Sequence, residues 1–219
     1  MSAPKRKKIV FVCTGNTCRS PMAELLLKSR LETLNIKGYT VDSAGIQAKK
    51  GDIINSKSAQ VLEENGISVG EFTSTKLTNK ILRDAFAIVC MTEKQKDFLS
   101  DMRWNAFRKA GEEAQENNVY SFYELSGYEV IDPYGKDIDC YRYVYSLLSA
   151  GIDCLIDKLD LRKFAYKPKT KASGVGEPKK RGRPKKQVLE SEPSPPKKRG
   201  RPKKTEADLP LLSYINIGE

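Results

Sequence analysis

The sequence predicts an α/β fold over residues 1–166, a three-layer sandwich with helices on both faces of a four-stranded parallel sheet. A disordered basic tail is expected over residues 167–219. Three observations predict this. Short apolar runs alternate with longer amphipathic stretches, as strands alternate with helices in such folds. The first apolar run passes through a short Gly/Asn loop straight into a Ser-Pro helix start. Charge and proline, finally, gather in the last quarter of the chain, where apolar residues thin out.

The elements follow in order. Residues 8–12 read as a buried strand. Ser20-Pro21 opens the first helix, because Ser is a favoured N-cap and Pro a favoured first helical residue. Met22, Leu25, Leu26 and Leu34 supply its apolar stripe. Residues 39–43 read as a second strand, and residues 55–65 as a helix stopped by Gly66. A third strand spans residues 84–91, with Ala85-Phe86-Ala87-Ile88-Val89-Cys90 at its centre. Thr92 with Gln95 three residues on is a capping box that starts another helix. Residues 119–122 form the fourth strand. A long helix fits residues 137–162, where Ile138, Tyr141, Tyr145, Leu148, Ile152, Leu155 and Leu159 step by three and four into one apolar face. Ligands in open α/β sheets sit at the carboxyl ends of strands, so the loop after the first strand is the first place to expect a site.

Composition narrows the chemistry. The chain of 219 residues has 39 Lys+Arg against 28 Asp+Glu, a net charge of +11, and no histidine. Without histidine there is no Ser-His-Asp or Cys-His catalysis, no His-ligated zinc, no haem on a proximal His and no imidazole pH switch. The charge is uneven: residues 167–219 hold 15 Lys+Arg and 6 Asp+Glu, a net of +9, which leaves +2 for residues 1–166. The basic start and the short run at 9–12 do not make a secretory signal, and no apolar stretch approaches the roughly 20 residues that cross a bilayer. Five cysteines, Cys13, Cys18, Cys90, Cys140 and Cys154, are expected to be reduced thiols in a cytoplasmic protein.

The loop after the first strand reads Cys13-Thr14-Gly15-Asn16-Thr17-Cys18-Arg19-Ser20-Pro21. Gly and Asn tolerate left-handed backbone, so successive N–H groups can point inward above a helix N-terminus, and both features cradle an anion. Cys13 and Arg19 bracket the cradle as C-x5-R. The positive surroundings that hold phosphate also favour the thiolate of Cys13. Arg19 can hold two phosphate oxygens at once, and Ser20 can donate to the sulfur. A nucleophile beside bound phosphate points to phosphoryl transfer through a phosphocysteine. The plain alternatives are two structural cysteines at a helix start, or zinc on Cys13 and Cys18. Zinc lacks a second cysteine pair or a histidine to complete four ligands.

The stretch Val10-Phe11-Val12-Cys13-Thr14-Gly15-Asn16-Thr17-Cys18-Arg19-Ser20-Pro21-Met22-Ala23-Glu24 closely resembles the low-molecular-weight protein tyrosine phosphatase family, over residues 7–163. Asp42-Ser43-Ala44-Gly45 and Asp132-Pro133-Tyr134-Gly135 match two further family elements in the same order. The resemblance implies Cys13 as nucleophile, Arg19 as phosphate clamp and Asp132 as the acid that protonates the leaving group and then assists water. Phosphate lies on residues 14–20 (Thr14, Gly15, Asn16, Thr17, Cys18, Arg19 and Ser20), and Asn16, Ser20 and Ser43 support the loop. No metal or organic cofactor is implied. Phosphoryl transfer needs a proton donor, and in a chain without histidine Asp132, in a rigid Pro-Tyr-Gly turn, can serve.

Thr17 stands where tyrosine phosphatases of the family usually carry a branched aliphatic residue, and the loop resembles the bacterial protein-arginine phosphatases. A threonine hydroxyl can bond water or a guanidinium. Ile46 and Gln47 follow Gly45 where many tyrosine phosphatases place an aromatic, and Phe72 lies where a His is common; Tyr134 remains as a pocket aromatic. Phosphorylated protein is the expected substrate, with phosphoarginine favoured over phosphotyrosine. Arsenate reductases share the loop but relay a disulfide through two more cysteines, and Cys90 has no such partner nearby. Cys18 either packs or forms a disulfide with Cys13 under oxidant.

The tail repeats one octapeptide unchanged, Lys-Lys-Arg-Gly-Arg-Pro-Lys-Lys at residues 179–186 and 197–204. It resembles the AT-hook. The implied DNA contacts are Arg181, Gly182 and Arg183, and Arg199, Gly200 and Arg201, in the narrow minor groove of A·T-rich duplex, with lysines on phosphates. Two copies on a flexible linker gain avidity. A generic polybasic run is the alternative, and so is a DNA-binding protein that uses the phosphatase fold only as a scaffold. The expected location is cytoplasmic, at the nucleoid in a bacterium. Residues 209–217 are an apolar terminus of unassigned role.

Overall fold

The computed structural model describes residues 6–113 and 118–164. The expectations for the tail, including both octapeptides, lie outside the described residues. Four strands form one parallel sheet: β1 (Lys7–Cys13), β2 (Tyr39–Gly45), β3 (Ala87–Cys90) and β4 (Val119–Ser121), in the order β2-β1-β3-β4. Six helices accompany them: α1 (Arg19–Thr33), α2 (Ser56–Glu64), α3 (Asn79–Asp84), α4 (Glu93–Ala110), α5 (Phe122–Ser126) and α6 (Ile138–Lys158).

Strand side chains alternate faces, and β1 shows how that builds two cores. Ile9, Phe11 and Cys13 enter one cluster with Leu26 and Leu27 of α1, Val61 and Leu62 of α2, and Tyr141, Leu148 and Ile152 of α6. Val10 and Val12 enter the other with Leu82 of α3 and Leu99 of α4. From Ile9 to Cys13 every residue of β1 is buried, as a central parallel strand covered on both faces requires. The last register pair of β1 and β2 is Cys13 beside Gly45, so the loop after β1 and the end of β2 emerge together. At Gly151 of α6 a Cβ would stand 2.3 Å from the Phe122 ring. Only glycine lets α6 approach this closely.

The α/β fold and its parallel sheet are as the sequence predicts. The differences are local and have physical reasons. The cap of α1 is Cys18, not Ser20, and Cys18 makes no side-chain cap bond; the Ser20 hydroxyl is committed to Cys13 instead. Pro21 is therefore the third helical residue, where a missing N–H still costs nothing. The Thr92–Gln95 capping box is half present. Thr92 caps Gln95 N–H, but the Gln95 side chain accepts from Met91 N–H. The complete box sits at Ser121 and Glu124, opening α5. That short helix, and α3, are too brief to show periodicity. The long helix ends at Lys158, and Asp160, at a φ of 47°, turns the chain into a single 3-10 turn at Leu161–Phe164.

Candidate active site

β1 delivers Cys13 to the carboxyl edge of the sheet, and the following loop climbs onto the N-terminus of α1. The left-handed residue in that loop is Asn16, with a φ of 56°, and not Gly15. Gly45 makes the loop possible from the other side. A Cβ there would lie 2.8 Å from Thr14 O and 2.9 Å from Asn16 N. Because Cys18 brings no side-chain cap, the first N–H groups of α1 are left for an anion, at the positive end of the helix dipole.

The hydrogen bonds from Thr75 through Asn16 and Ser43 to Glu24 have a forced direction. The backbone N–H of Thr75 can only donate, and its 2.7 Å partner is therefore Oδ1 of Asn16. Asn16 Nδ2 then faces two hydroxyls and donates to both, Ser20 Oγ at 2.9 Å and Ser43 Oγ at 2.8 Å. Ser43 donates to Glu24 Oε2 at 2.5 Å, and Ser20 Oγ lies 3.0 Å from Cys13 Sγ, to which it donates when the sulfur is a thiolate. The Asn16 N–H also donates to the sulfur, at 3.2 Å. The Cys13 sulfur thus lies within hydrogen-bond reach of the Ser20 hydroxyl and the Asn16 N–H. Asn16, Ser20 and Ser43 are all buried, so the network is shielded from water and its bonds count for more than exposed ones.

Arg19 is almost fully buried, with its side chain 7% exposed, yet reaches Asp132, whose side chain is 54% exposed, at 2.6 Å. The other guanidinium nitrogen reaches Val130 O at 3.4 Å. Asp132 accepts from the N–H of Tyr134 at 3.2 Å. Gly135, with a φ of 77°, takes the left-handed position of a turn closed by Lys136 N–H on Pro133 O. The carboxylate therefore sits over the mouth of the loop from a rigid turn.

Cys18 packs below the mouth. Its sulfur lies 3.8 Å from Tyr141 OH and 3.7 Å from Thr17 Oγ1. Burial pushes the Cys18 thiol up, opposed by bonds from Thr17 and Tyr141. Burial, and then the bond to Cys18, likewise push the Tyr141 phenol up. The fully buried Ser58 hydroxyl lies near Cys18 without reaching a partner in hydrogen-bond geometry. Cys90 is elsewhere. It donates to the carbonyls of Thr92 and Tyr120, and burial first, then Glu93, push it up to about 12, the mark of an inert thiol.

Eight residues singled out from the sequence therefore share one cavity of about 220 Å³: Cys13, Thr14, Gly15, Thr17, Cys18, Arg19, Asp132 and Tyr134. Asn16, Ser20 and Ser43 lie behind it in the network. Sequence reasoning gave no site role to Glu24, Thr75, Gln95 or Tyr141. Glu24 carries a readable signal, a carboxylate within the buried face of α1. Thr75 acts through its backbone and carries none. Gln95 Nε2 touches Thr14 Oγ1 at 3.5 Å. Among the described residues no group of three or more Cys, Asp or Glu side chains converges as a metal site, and no helix is long and apolar enough to cross a membrane.

Comparison with known proteins agrees with this geometry. The chain is 33% identical over 152 residues to the protein-arginine-phosphatase of Geobacillus stearothermophilus, covering 69% of this chain and 95% of that one. It is 30% identical over 157 residues to the low molecular weight protein-tyrosine-phosphatase PtpB of Staphylococcus epidermidis, covering 71% and 98%. The solved structure of the YwlE arginine phosphatase from Geobacillus stearothermophilus superposes with a TM-score of 0.59 at 32% identity, over 72% of this chain and 95% of that one. The AT hook motif matches residues 196–208, around the second octapeptide. The model of the low molecular weight phosphotyrosine protein phosphatases matches residues 8–185, and the chain, with its thiol and arginine on one strand-to-helix loop, belongs to that family of protein phosphatases.

Proposed function

We propose that the chain hydrolyses phosphorylated protein side chains through a phosphocysteine, with phosphoarginine its preferred substrate. The observation that supports the chemistry most is the pair of donors on Cys13 Sγ, from Ser20 and the Asn16 amide. The thiolate attacks phosphorus as the bond to the leaving nitrogen or oxygen breaks, and Asp132 gives that atom its proton. Arg19 and the loop N–H groups take the charge on the phosphoryl oxygens. Phosphate competes with Asp132 for the Arg19 fork, which frees the carboxyl to face the leaving group. Water then attacks the phosphocysteine, Asp132 accepts its proton, and the P–S bond breaks to release phosphate and the thiolate.

Thr17 supports the choice of phosphoarginine. It lines the cavity with Asp132 and Tyr134, and its hydroxyl gives a guanidinium an acceptor where an aliphatic group only fills space. Ile46 packs against the core on the α4 side, so it is not a wall for an aryl ring. Phosphotyrosine is the second reading, favoured by the ring of Tyr134, 73% exposed at the mouth. Relative kcat/KM on phosphoarginine and phosphotyrosine peptides decides between them. Thr17→Ile is expected to shift preference about tenfold toward the aryl phosphate; an unchanged ratio removes Thr17 as the determinant. The repeated octapeptides support binding of A·T-rich duplex through Arg181, Arg183, Arg199 and Arg201 with Gly182 and Gly200. Binding is expected to weaken steeply with salt, and equal affinity for G·C-rich duplex refutes a minor-groove mode.

A further inference from the structure

The start of α2 touches both catalytic loops. Asn55 caps the helix by accepting from Lys57 N–H at 3.0 Å, and its own N–H donates to Thr17 O of the phosphate loop at 2.8 Å. Lys57 sends its side chain the other way. Its Nζ donates to the carbonyl of Lys136 and lies 5.8 Å from the centre of the Tyr141 ring, the ring whose hydroxyl meets Cys18.

That carbonyl belongs to the loop carrying Asp132, which is otherwise lightly held. Asp132, Tyr134, Gly135 and Lys136 are exposed and only Pro133 is buried. The bonds from Tyr134 N–H to Asp132 and from Lys136 N–H to Pro133 O stay within the loop. Among the described residues, Lys57 makes the one hydrogen bond that reaches residues 133–136 from outside the loop. The Arg19 pair holds Asp132 itself, but Arg19 is the group that phosphate engages. When phosphate takes Arg19, the tether at Lys136 is what remains to keep the carboxyl aimed.

We infer that Lys57 is a positioning residue: it ties the acid loop to the same helix start that holds the phosphate loop, and so sets the distance between Asp132 and the phosphoryl group. The inference rests on the phosphatase reading above. A proton donor displaced by about 1 Å can lose on the order of 100-fold in rate, and a loop loosened at one end is expected to lose about tenfold.

Two model substrates isolate this effect. Phenyl phosphate needs its leaving oxygen protonated, whereas p-nitrophenyl phosphate expels a stable anion. In kcat/KM, which reports steps through phosphocysteine formation, Lys57→Met is expected to lose about 10-fold on phenyl phosphate and less than about 2-fold on p-nitrophenyl phosphate. Lys57→Arg, which keeps charge and donors, is expected to retain both rates. In an Asp132→Asn background, Lys57→Met is expected to cost nothing further on phenyl phosphate. An equal loss on both substrates, with or without a drop in melting temperature, assigns Lys57 a merely structural role and overturns the inference, as does full additivity with Asp132→Asn. A parent chain that turns over neither substrate overturns the phosphatase reading itself, a result distinct from either of these.

Discussion

The two loops that meet at the mouth are built on opposite principles. The loop of residues 13–20 is mostly buried, with Thr14 exposed, and over-determined: Asn16 alone makes four hydrogen bonds, to Ser20, Ser43, Thr75 N–H and the Cys13 sulfur. The loop of residues 132–136 is exposed, and holds its shape by a proline, a left-handed glycine and contacts from Arg19 and Lys57. The difference suits the two tasks proposed for these loops. An oxyanion must meet donors already fixed in place, since reorganising them during the reaction raises the barrier. A carboxyl that gives a proton and later takes one from water benefits from access to solvent. Substitutions in the first loop should therefore disturb fold and rate together, and those in the second should disturb rate alone.

The largest effect tests the chemistry on which the contrast depends. Cys13→Ser is expected to lower kcat by at least about 10⁴-fold with phosphate affinity retained, because the cradle of N–H groups survives while the nucleophile does not. Measurable turnover by that variant, followed as phosphate release, counts against a phosphocysteine. Asp132→Asn comes next, with a loss of about 10² to 10⁴ in kcat and a melting temperature within about 2 °C of the parent, since the residue is exposed. A large fall in stability breaks the comparison. Asn16→Ala is expected to do the reverse of Asp132→Asn. It leaves the buried Ser20 and Ser43 hydroxyls without their shared donor and removes the partner of Thr75 N–H, costing about 2–3 kcal/mol in denaturant unfolding along with activity. Gly45→Ala sharpens this, because it adds a methyl 2.8 Å from Thr14 O and 2.9 Å from Asn16 N while leaving the side chains of Cys13, Arg19 and Asp132 unchanged. About 1–3 kcal/mol of overpacking, with kcat lowered through the displaced loop, is the expected outcome.

The smallest effect concerns Cys90, outside both loops. Its folded-state value of about 12 lies above the unfolded thiol's roughly 8.5. Its contribution is fully present below the unfolded value and is lost as pH rises through the folded one. Stability should decline from about pH 8.5 upward, and Cys90→Ala should flatten that part of the curve in pH-dependent melting.

Much of this was legible because the relevant signals are local. The apolar run of β1, the Gly/Asn loop and the helix start occupy consecutive residues, so chemistry and its scaffold could be read together. The alternation of β1 side chains between two cores and the three-four stepping of α6 follow from strand and helix geometry, whatever their neighbours. The capping box was harder: Thr92 and Gln95 have the right spacing, but Gln95 turned to Met91 and Thr14 because the phosphate loop packs beside it. Thr75 and Lys57 were invisible because their partners are 59 and 79 residues away in sequence.

By itself, then, the sequence determined the sheet-and-helix alternation, the anion loop with its thiol and arginine, the absence of imidazole chemistry and the segregation of charge into the last quarter of the chain. These depend on residue type and short-range spacing, which folding does not alter. Only the tertiary structure decided that Asn16 bridges Thr75, Ser20 and Ser43 beneath the loop, that Cys18 rather than Ser20 precedes α1, and that the start of α2 touches both the 13–20 and the 132–136 loops. Each of these depends on a donor meeting an acceptor brought from a distant strand or helix, and such a meeting exists only once the sheet has set β1 beside β2 and α6 has closed over α1 and α2.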